Sequence, residues 1–258
     1  MTSASPVLSL SQVCKTYDGG VDAVRGVDLD VYPGELVALT GESGCGKTTT
    51  LKMINRLEDA SGGSILYEDQ PVETMDPVLL RRAMGWVMQG DGLFPHISVA
   101  RNISIVPRLL RWERDRIAHR VDALLEMVRL DPGIYRDRMP SELSGGQRQR
   151  VGFARALAGE PDVLLMDEPF SALDPVNRDL LQQEFCELQA RLGFAAVMVT
   201  HDMAEALIMA DRIAVMKEGE ILQIGKPREL LDNPAHDHVS ELLETPRRQM
   251  RRIRELDL

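Results

Sequence analysis

Residues 7 to 40 read as short strands, in which Val27, Leu29 and Val31 alternate with polar residues at the period of two that marks a half-buried strand. Pro33-Gly34 predicts a turn, and Leu36 to Leu39 is a continuous apolar run of the kind buried on both faces of a parallel sheet. That run leads into a glycine-rich loop and a helical stretch beginning near Lys47. Trp86 to Met88 reads as a second strand. The segment from Gly90 to Glu142 reads mostly as helix, with Val121, Leu124, Leu125 and Val128 spaced to share one buried face. Apolar strand runs return at Val163 to Met166 and Ala195 to Thr200, flanking a helix whose stripe is Leu181, Phe185, Leu188 and Leu192. A hairpin follows, Ile213 to Met216 and Ile221 to Ile224 around Glu218-Gly219, and then short helices. The pattern predicts an α/β fold whose mainly parallel sheet is interrupted by a helical insert. It contains no internal repeat and no low-complexity segment.

Composition narrows the class. With 258 residues the chain allows one large domain or two unequal lobes, and 44% hydrophobic with 27% charged residues is the balance of an ordinary globule. The longest apolar stretches, such as Phe194 to Val199, fall far short of the ~20 residues that cross a bilayer. The N-terminus lacks the basic start and apolar segment of a signal peptide, which predicts a cytosolic chain. Cys14, Cys45 and Cys186 are odd in number and widely spaced, which fits a reducing compartment and argues against a disulfide framework or a zinc site. A net charge of -10 argues against nucleic acid as a partner, since phosphate neutralisation needs a basic face. The exception is the tail: residues 247–258 carry five arginines against Glu255 and Asp257, which reads as a solvated helix end, with contact to anionic lipid as the alternative.

Three motifs carry chemistry. Gly41-Glu42-Ser43-Gly44-Cys45-Gly46-Lys47-Thr48 matches the P-loop pattern and lies between a predicted strand and a predicted helix, the context the pattern requires. Glycines let successive amides turn toward β- and γ-phosphates while the helix start adds its positive end. Lys47 is expected to bridge those phosphates and the Thr48 hydroxyl to hold magnesium; Cys45 contributes its amide. Val163-Leu-Leu-Met-Asp167-Glu168-Pro169 is an apolar strand ending in two carboxylates, which at the carboxyl edge of a parallel sheet would reach the phosphates. Asp167 then suits the outer shell of magnesium and Glu168 the polarisation of attacking water. Leu143-Ser144-Gly145-Gly146-Gln147-Arg148-Gln149-Arg150 predicts an N-cap at Ser144, glycines that admit an anion, and helix from Gln147 onward.

The order P-loop, LSGGQ, acidic strand end and a histidine after the next strand resembles the nucleotide-binding subunit of an ATP-binding cassette (ABC) transporter, over about residues 7–235. The resemblance implies the P-loop ATPase fold of that family: a mainly parallel core sheet, an N-terminal antiparallel β subdomain, and a helical subdomain inserted at about 90–158, followed by a short helical tail over 236–258. It implies ATP and Mg2+ as ligands, bound through Gly41 to Thr49, Asp167, and Ser144, Gly145, Gly146 and Gln147. Tyr17, in Lys15-Thr16-Tyr17, resembles the aromatic that stacks on adenine; without the resemblance it reads as a core aromatic of a strand. Gln89 resembles the glutamine that touches magnesium and attacking water, Ser171 to Asp174 the loop at the dimer interface, and His201 the switch histidine at the γ-phosphate. Catalysis is expected from Lys47, Gln89, Glu168 and His201, with Thr48, Gln89 and Asp167 around the metal. The resemblance further implies a head-to-tail homodimer in which Ser144 to Gln147 of one subunit close the P-loop of the other, bound to integral-membrane permease subunits at the cytoplasmic face of the membrane.

A finer resemblance rests on Gly85-Trp-Val-Met-Gln89, Gly92-Leu-Phe-Pro-His96, Val106-Pro-Arg-Leu-Leu-Arg-Trp112 and Asp174-Pro-Val-Asn-Arg178, which look like ATPases of importers for quaternary-amine osmoprotectants such as glycine betaine, choline or carnitine. It implies a separate solute-binding protein acting through the permease; an ATPase for another small solute, such as an amino acid, is the alternative. With 27 residues after Leu231, the tandem regulatory domains that some relatives append are not expected in this sequence. Competing readings are a chromosome-maintenance ATPase, opposed by the lack of sustained heptads between Gly90 and Glu142, a P-loop small-molecule kinase, opposed by LSGGQ, and a non-enzymatic adaptor, opposed by intact Lys47, Glu168 and His201. Leu93, Phe94, Pro95, His96 and Ile97 form an apolar cluster after Gln89, expected as an exposed patch that receives a short cytoplasmic helix of the permease; the alternative buries Phe94 in the helical lobe.

Overall fold

The structure is a computed structural model that describes residues 5–90 and 92–255. The first four residues of the N-terminal segment, Asp91 in the helical stretch, and residues 256–258 of the basic tail lie outside the described residues.

In chain order the elements open with β1 (Leu8–Tyr17), β2 (Val21–Val31), β3 (Leu36–Gly41), α1 (Lys47–Ile54), β4 (Gly62–Tyr67), β5 (Gln70–Pro71), α2 (Pro77–Ala83) and β6 (Met84–Val87). A helical stretch follows: α3 (Val99–Ile103), α4 (Ile105–Leu109), α5 (Arg114–Met127), α6 (Pro132–Tyr135) and α7 (Gly145–Leu157). The chain closes with β7 (Val163–Asp167), α8 (Pro175–Leu192), β8 (Ala195–Thr200), α9 (Met203–Met209), β9 (Arg212–Lys217), β10 (Glu220–Gly225), α10 (Pro227–Asp232) and α11 (Asp237–Glu255). Two compact units divide it, one up to Glu73 and again from Val197, the other Thr74–Ala196.

In the first unit β2, β1, β4 and β5 form an antiparallel sheet in that order. Leu8, Leu10 and Val13 of β1 and Val24, Val27, Leu29 and Val31 of β2 are buried, so the alternation in sequence becomes one packed face. Strand β3 pairs parallel with β9, which returns antiparallel as β10. All six residues of β3 are buried, as a strand with neighbours on both sides and covered faces requires. The two-residue loop between β9 and β10 is Glu218-Gly219, both at positive φ, which gives the hairpin a turn whose twist matches its strands.

The second unit pairs β6 and β7 in parallel, Met84 opposite Val163 through Val87 opposite Met166. Its core is aromatic. Phe153 of α7 lies 5.6 Å from Phe170 and 5.3 Å from Phe185 of α8, and Phe185 lies 6.0 Å from Phe194. Such tilted and edge-on pairs add about 0.5–1.5 kcal/mol each beyond the burial of their area. Val121, Leu124, Leu125 and Val128 are buried together as the spacing predicts.

Several boundaries differ from the pattern. The strand expected at Trp86 to Met88 is β6, which begins at Met84 and leaves Met88 exposed. Strands β4 and β5 and helix α2 were not apparent in the pattern. Helix α7 begins at Gly145 rather than Gln147. Leu192 ends α8 and is exposed, so the buried stripe stops at Leu188. The chain does not end only in short helices: α11 is 19 residues long and carries Pro246 within it.

Candidate functional site

The first unit supplies the phosphate loop. Strand β3 ends at Gly41, where a side chain would meet the Met216 carbonyl at 2.1 Å, and at Gly46 one would meet the Ala23 carbonyl at 2.4 Å. Both also have positive φ, so the tight loop is open to glycine alone at these positions. Gly46 precedes α1 and has no side chain to cap it, and an uncapped helix start is where backbone amides and the positive helix end meet an anion. Lys47 is buried, and its ammonium donates to the carbonyls of Gly41 at 2.8 Å and Glu42 at 2.7 Å, with Cys45 Sγ at 3.6 Å. None of these partners is a carboxylate, so the loop orients the cation and keeps its charge for a ligand. Thr48 and Thr49 are half-buried behind it, while Glu42, Ser43 and Gly44 are exposed. Tyr17 ends β1 at 37% exposure with the Lys15 ammonium 5.0 Å above its ring, so it is a surface aromatic and not the core residue of the alternative reading. His201 is exposed directly after β8, and Asp202 caps α9 by accepting from the Ala204 amide at 2.9 Å.

The second unit gathers the remaining motifs. Asp167 ends β7, and Glu168 follows in the left-handed region with φ 45, its carbonyl accepting from the Ser171 hydroxyl at 2.9 Å. The Gln89 side-chain amide donates to Glu168 Oε2 at 3.0 Å, joining residues 79 positions apart. Ser144 caps α7 with the reciprocal box that Ser-x-x-Gln permits: its hydroxyl accepts from the Gln147 amide at 3.3 Å, and Gln147 Oε1 accepts from the Ser144 amide at 2.9 Å. Asp174 caps α8, and the Asn177 amide donors hold its carboxyl below the usual carboxylate range. The Asn177 side chain lies against Gly146, which brings the loop from Ser171 to Asp174 alongside the LSGGQ segment.

The apolar cluster after Gln89 divides. Leu93 is buried and so is not part of the expected exposed patch, whereas Phe94 is 47% exposed, which sets aside the alternative that buries it, and stacks edge-on with His96 at 6.0 Å. Phe94 borders a cleft of about 160 Å³ with Arg82, Trp86, Ile105, Val106 and Arg155.

Two contacts escape a reading of motifs. Gln149 is buried and donates to the Pro169 carbonyl at 2.5 Å, tying α7 to the backbone just after Glu168. Its signal in the sequence is a glutamine on the stripe it shares with Phe153, Ala156 and Leu157. Tyr135 accepts from the Gln147 side-chain amide at 3.0 Å, a contact no spacing announces. No group of three or more His, Cys, Asp or Glu among the described residues could hold a metal, and no helix among them is long and apolar enough to cross a membrane.

A phosphate loop, an acidic strand end with its glutamine, and a capped LSGGQ helix define a nucleotide-binding cassette. The family model for ABC transporters matches residues 24–171, and the chain belongs to that family. It is 52% identical over 237 residues to the glycine betaine/carnitine/choline transport ATP-binding protein OpuCA of Bacillus subtilis, covering 92% of this chain and 62% of that protein. It is 47% identical over 235 residues to the glycine betaine uptake system ATP-binding protein YehX of Escherichia coli, covering 91% of this chain and 76% of that protein. The chain thus spans less than two thirds of the length of OpuCA. Among solved structures, cbiO1 from Clostridium perfringens, part of the ABC transporter complex cbiONQ, superposes with a TM-score of 0.82 at 30% identity over 90% of this chain and 92% of that one. The ATP-binding cassette MJ0796, a dimer in a post-hydrolysis state bound to ADP and Pi, gives a TM-score of 0.75 at 32% identity, covering 86% of this chain and 99% of that one.

Replacing Gln149 with Leu leaves the Pro169 carbonyl buried without its donor, which costs about 1–3 kcal/mol. The urea unfolding midpoint is expected to fall accordingly. An unchanged midpoint would mean the hydrogen bond does not hold α7 to the loop.

Proposed function

We propose that the chain is the ATP-hydrolysing subunit of an ABC importer, and that the imported solute is a quaternary-amine osmoprotectant such as glycine betaine, choline or carnitine. The observation that carries the ATPase reading is the hydrogen bond from Gln89 to Glu168. A base that polarises water needs a fixed orientation, and a glutamine able to touch the same water and the metal is what an in-line attack on phosphorus requires. The solute class rests on the names of relatives such as OpuCA and YehX.

In this reading Tyr17 stacks on adenine, the loop amides of Gly41 to Gly46 and the Lys47 ammonium take the β- and γ-phosphate oxygens, and Glu168 draws the proton from water as its oxygen bonds to the γ-phosphorus and the bond to ADP breaks. His201 steadies the γ-phosphate. The Thr48 hydroxyl, the Gln89 amide oxygen and the Asp167 carboxylate are hard oxygen donors that fit magnesium with water completing its shell. Magnesium, when bound, neutralises phosphate charge. Ser144, Gly145, Gly146 and Gln147 meet the γ-phosphate held by a second copy of the chain, arranged head to tail. The cleft beside Phe94 receives a short cytoplasmic helix of the permease, so movement of Gln89 on ATP binding reaches the membrane subunit at the cytoplasmic face. A solute-binding protein delivers the solute on the far side. The cassette covers residues 7–235, with a helical subdomain at about 90–158 and a tail over 236–258.

Glu168→Gln is expected to abolish steady-state hydrolysis and leave ATP affinity intact, so that an ATP-bound dimer accumulates; an equal loss of affinity would refute the assigned role. Lys47→Ala is expected to weaken binding of a fluorescent ATP analogue, and unchanged affinity would mean that the loop does not take the phosphates. Phe94→Ser is expected to preserve folding and nucleotide binding but reduce association with the permease and transport. Normal assembly and transport by that variant would put the coupling surface elsewhere. In the reconstituted complex, ATPase activity is expected to rise with glycine betaine, choline or carnitine; stimulation by an unrelated solute alone would correct the substrate class.

A further inference from the structure

The start of α7 divides its backbone donors. In any α-helix the first amides have no partner inside the helix. Here the Ser144 amide goes to Gln147 Oε1 and the Gln147 amide goes to the Ser144 hydroxyl. The box therefore uses the two outer donors and leaves the adjacent amides of Gly145 and Gly146, on residues with no side chain to obstruct them, at the positive end of a 13-residue helix. Folded back on Ser144, the Gln147 side chain closes the turn that carries this pair. A glutamine side chain has three rotatable bonds, and ordering it carries an entropic cost.

Tyr135 meets that cost. Its hydroxyl oxygen accepts from Gln147 Nε2 at 3.0 Å, so the carboxamide is held at both ends: Oε1 on the backbone of Ser144 and Nε2 on the phenol. Tyr135 is itself firmly set. Its amide donates to the Asp131 carbonyl at 2.9 Å, and the Arg138 guanidinium lies 4.7 Å over its ring. On either side of it, Arg136 pairs with Asp122 of α5, and the Arg136 and Arg138 carbonyls accept from the amides of Ala100 and Val99 in α3, each at 2.9 Å. A single hydroxyl thus anchors the LSGGQ segment to α3 and α5 of the same unit.

We propose that Tyr135 is a positioning residue that holds Gln147 in the capping box, so that the Gly145 and Gly146 amides are formed in advance for the γ-phosphate presented by a second copy of this chain. The proposal rests on the head-to-tail reading above. Tyr135 touches no nucleotide in it, and the P-loop lies on other elements. Its loss therefore acts on closure of the dimer and not on the first binding of ATP.

The test uses the full chain carrying Glu168→Gln, with ATP-driven dimerisation followed by light scattering and nucleotide affinity measured separately below the dimerisation range. Tyr135→Phe keeps the ring and removes the acceptor. A hydrogen bond of ordinary net worth predicts a roughly two- to tenfold rise in the ATP concentration at half-dimerisation, with monomer affinity for ATP unchanged. Gln147→Ala should produce a shift of its own, and adding Tyr135→Phe to it should cost nothing more, because the two groups act as one unit. Dimerisation of Tyr135→Phe equal to its parent, or additive shifts in the double variant, overturns the role of Tyr135 while the head-to-tail reading stands. A parent that stays monomeric at saturating ATP overturns that reading and the proposal together.

Discussion

A helix start leaves amides that the helix cannot satisfy, and the chemistry of this protein depends on where the chain declines to cap them. At α1 the residue before the helix is Gly46, which has no side chain to fold back. At α7 the residue is Ser144, and its box with Gln147 covers two donors and spares the two glycines between. The first arrangement is open and carries a buried ammonium; the second is half closed and carries none. An anion with charge spread over several oxygens needs the first for affinity and gains geometry from the second. In the proposed reading, the same physical shortfall serves two helix starts in two different ways.

The second unit ties its parts together through buried contacts. Phe153, Phe170, Phe185 and Phe194 pack α7 and α8 around the segment that follows Glu168, and Gln149 adds a polar link in that core, to the Pro169 carbonyl. A glutamine buried there is costly unless its amide is satisfied, and the satisfied bond fixes distance as well as energy. Glu168 sits in a backbone conformation uncommon for glutamate, which such surroundings can hold in place. Gln89, two residues past the end of β6, reaches that carboxylate, so the bond joins Glu168 to the entry of the helical stretch.

Much of this was legible because the motifs are local. Residues 41–48 and 143–150 each hold a loop and a helix start within eight positions, so residue type and spacing suffice to read them. The long apolar runs became β3, β7 and β8 with almost the expected limits. The failures share a cause. Strand β4 opens on Gly62-Gly63-Ser64 before its three apolar residues, and β5 is only Gln70-Pro71, so periodicity had little to act on. Leu93 and Phe94 are neighbours of similar hydropathy, and only tertiary packing decides that the first is buried and the second exposed. Pro246 reads as a helix breaker, yet α11 continues through it. Tyr135 with Gln147, and Gln149 with Pro169, are side-chain bonds across 12 and 20 residues, and no local pattern encodes them.

The central claim is that the phosphate loop of one chain and the LSGGQ segment of another act on the same ATP. Mixing two inactive variants tests it most directly: Lys47→Ala, defective in the loop, and Ser144→Arg, defective in the segment. In a head-to-tail dimer the mixed pair has one site with both parts intact, and ATP hydrolysis is expected to reappear on mixing although neither variant hydrolyses ATP alone. A mixture as inactive as its components, with mixed dimers demonstrated by differential tagging, would contradict the account.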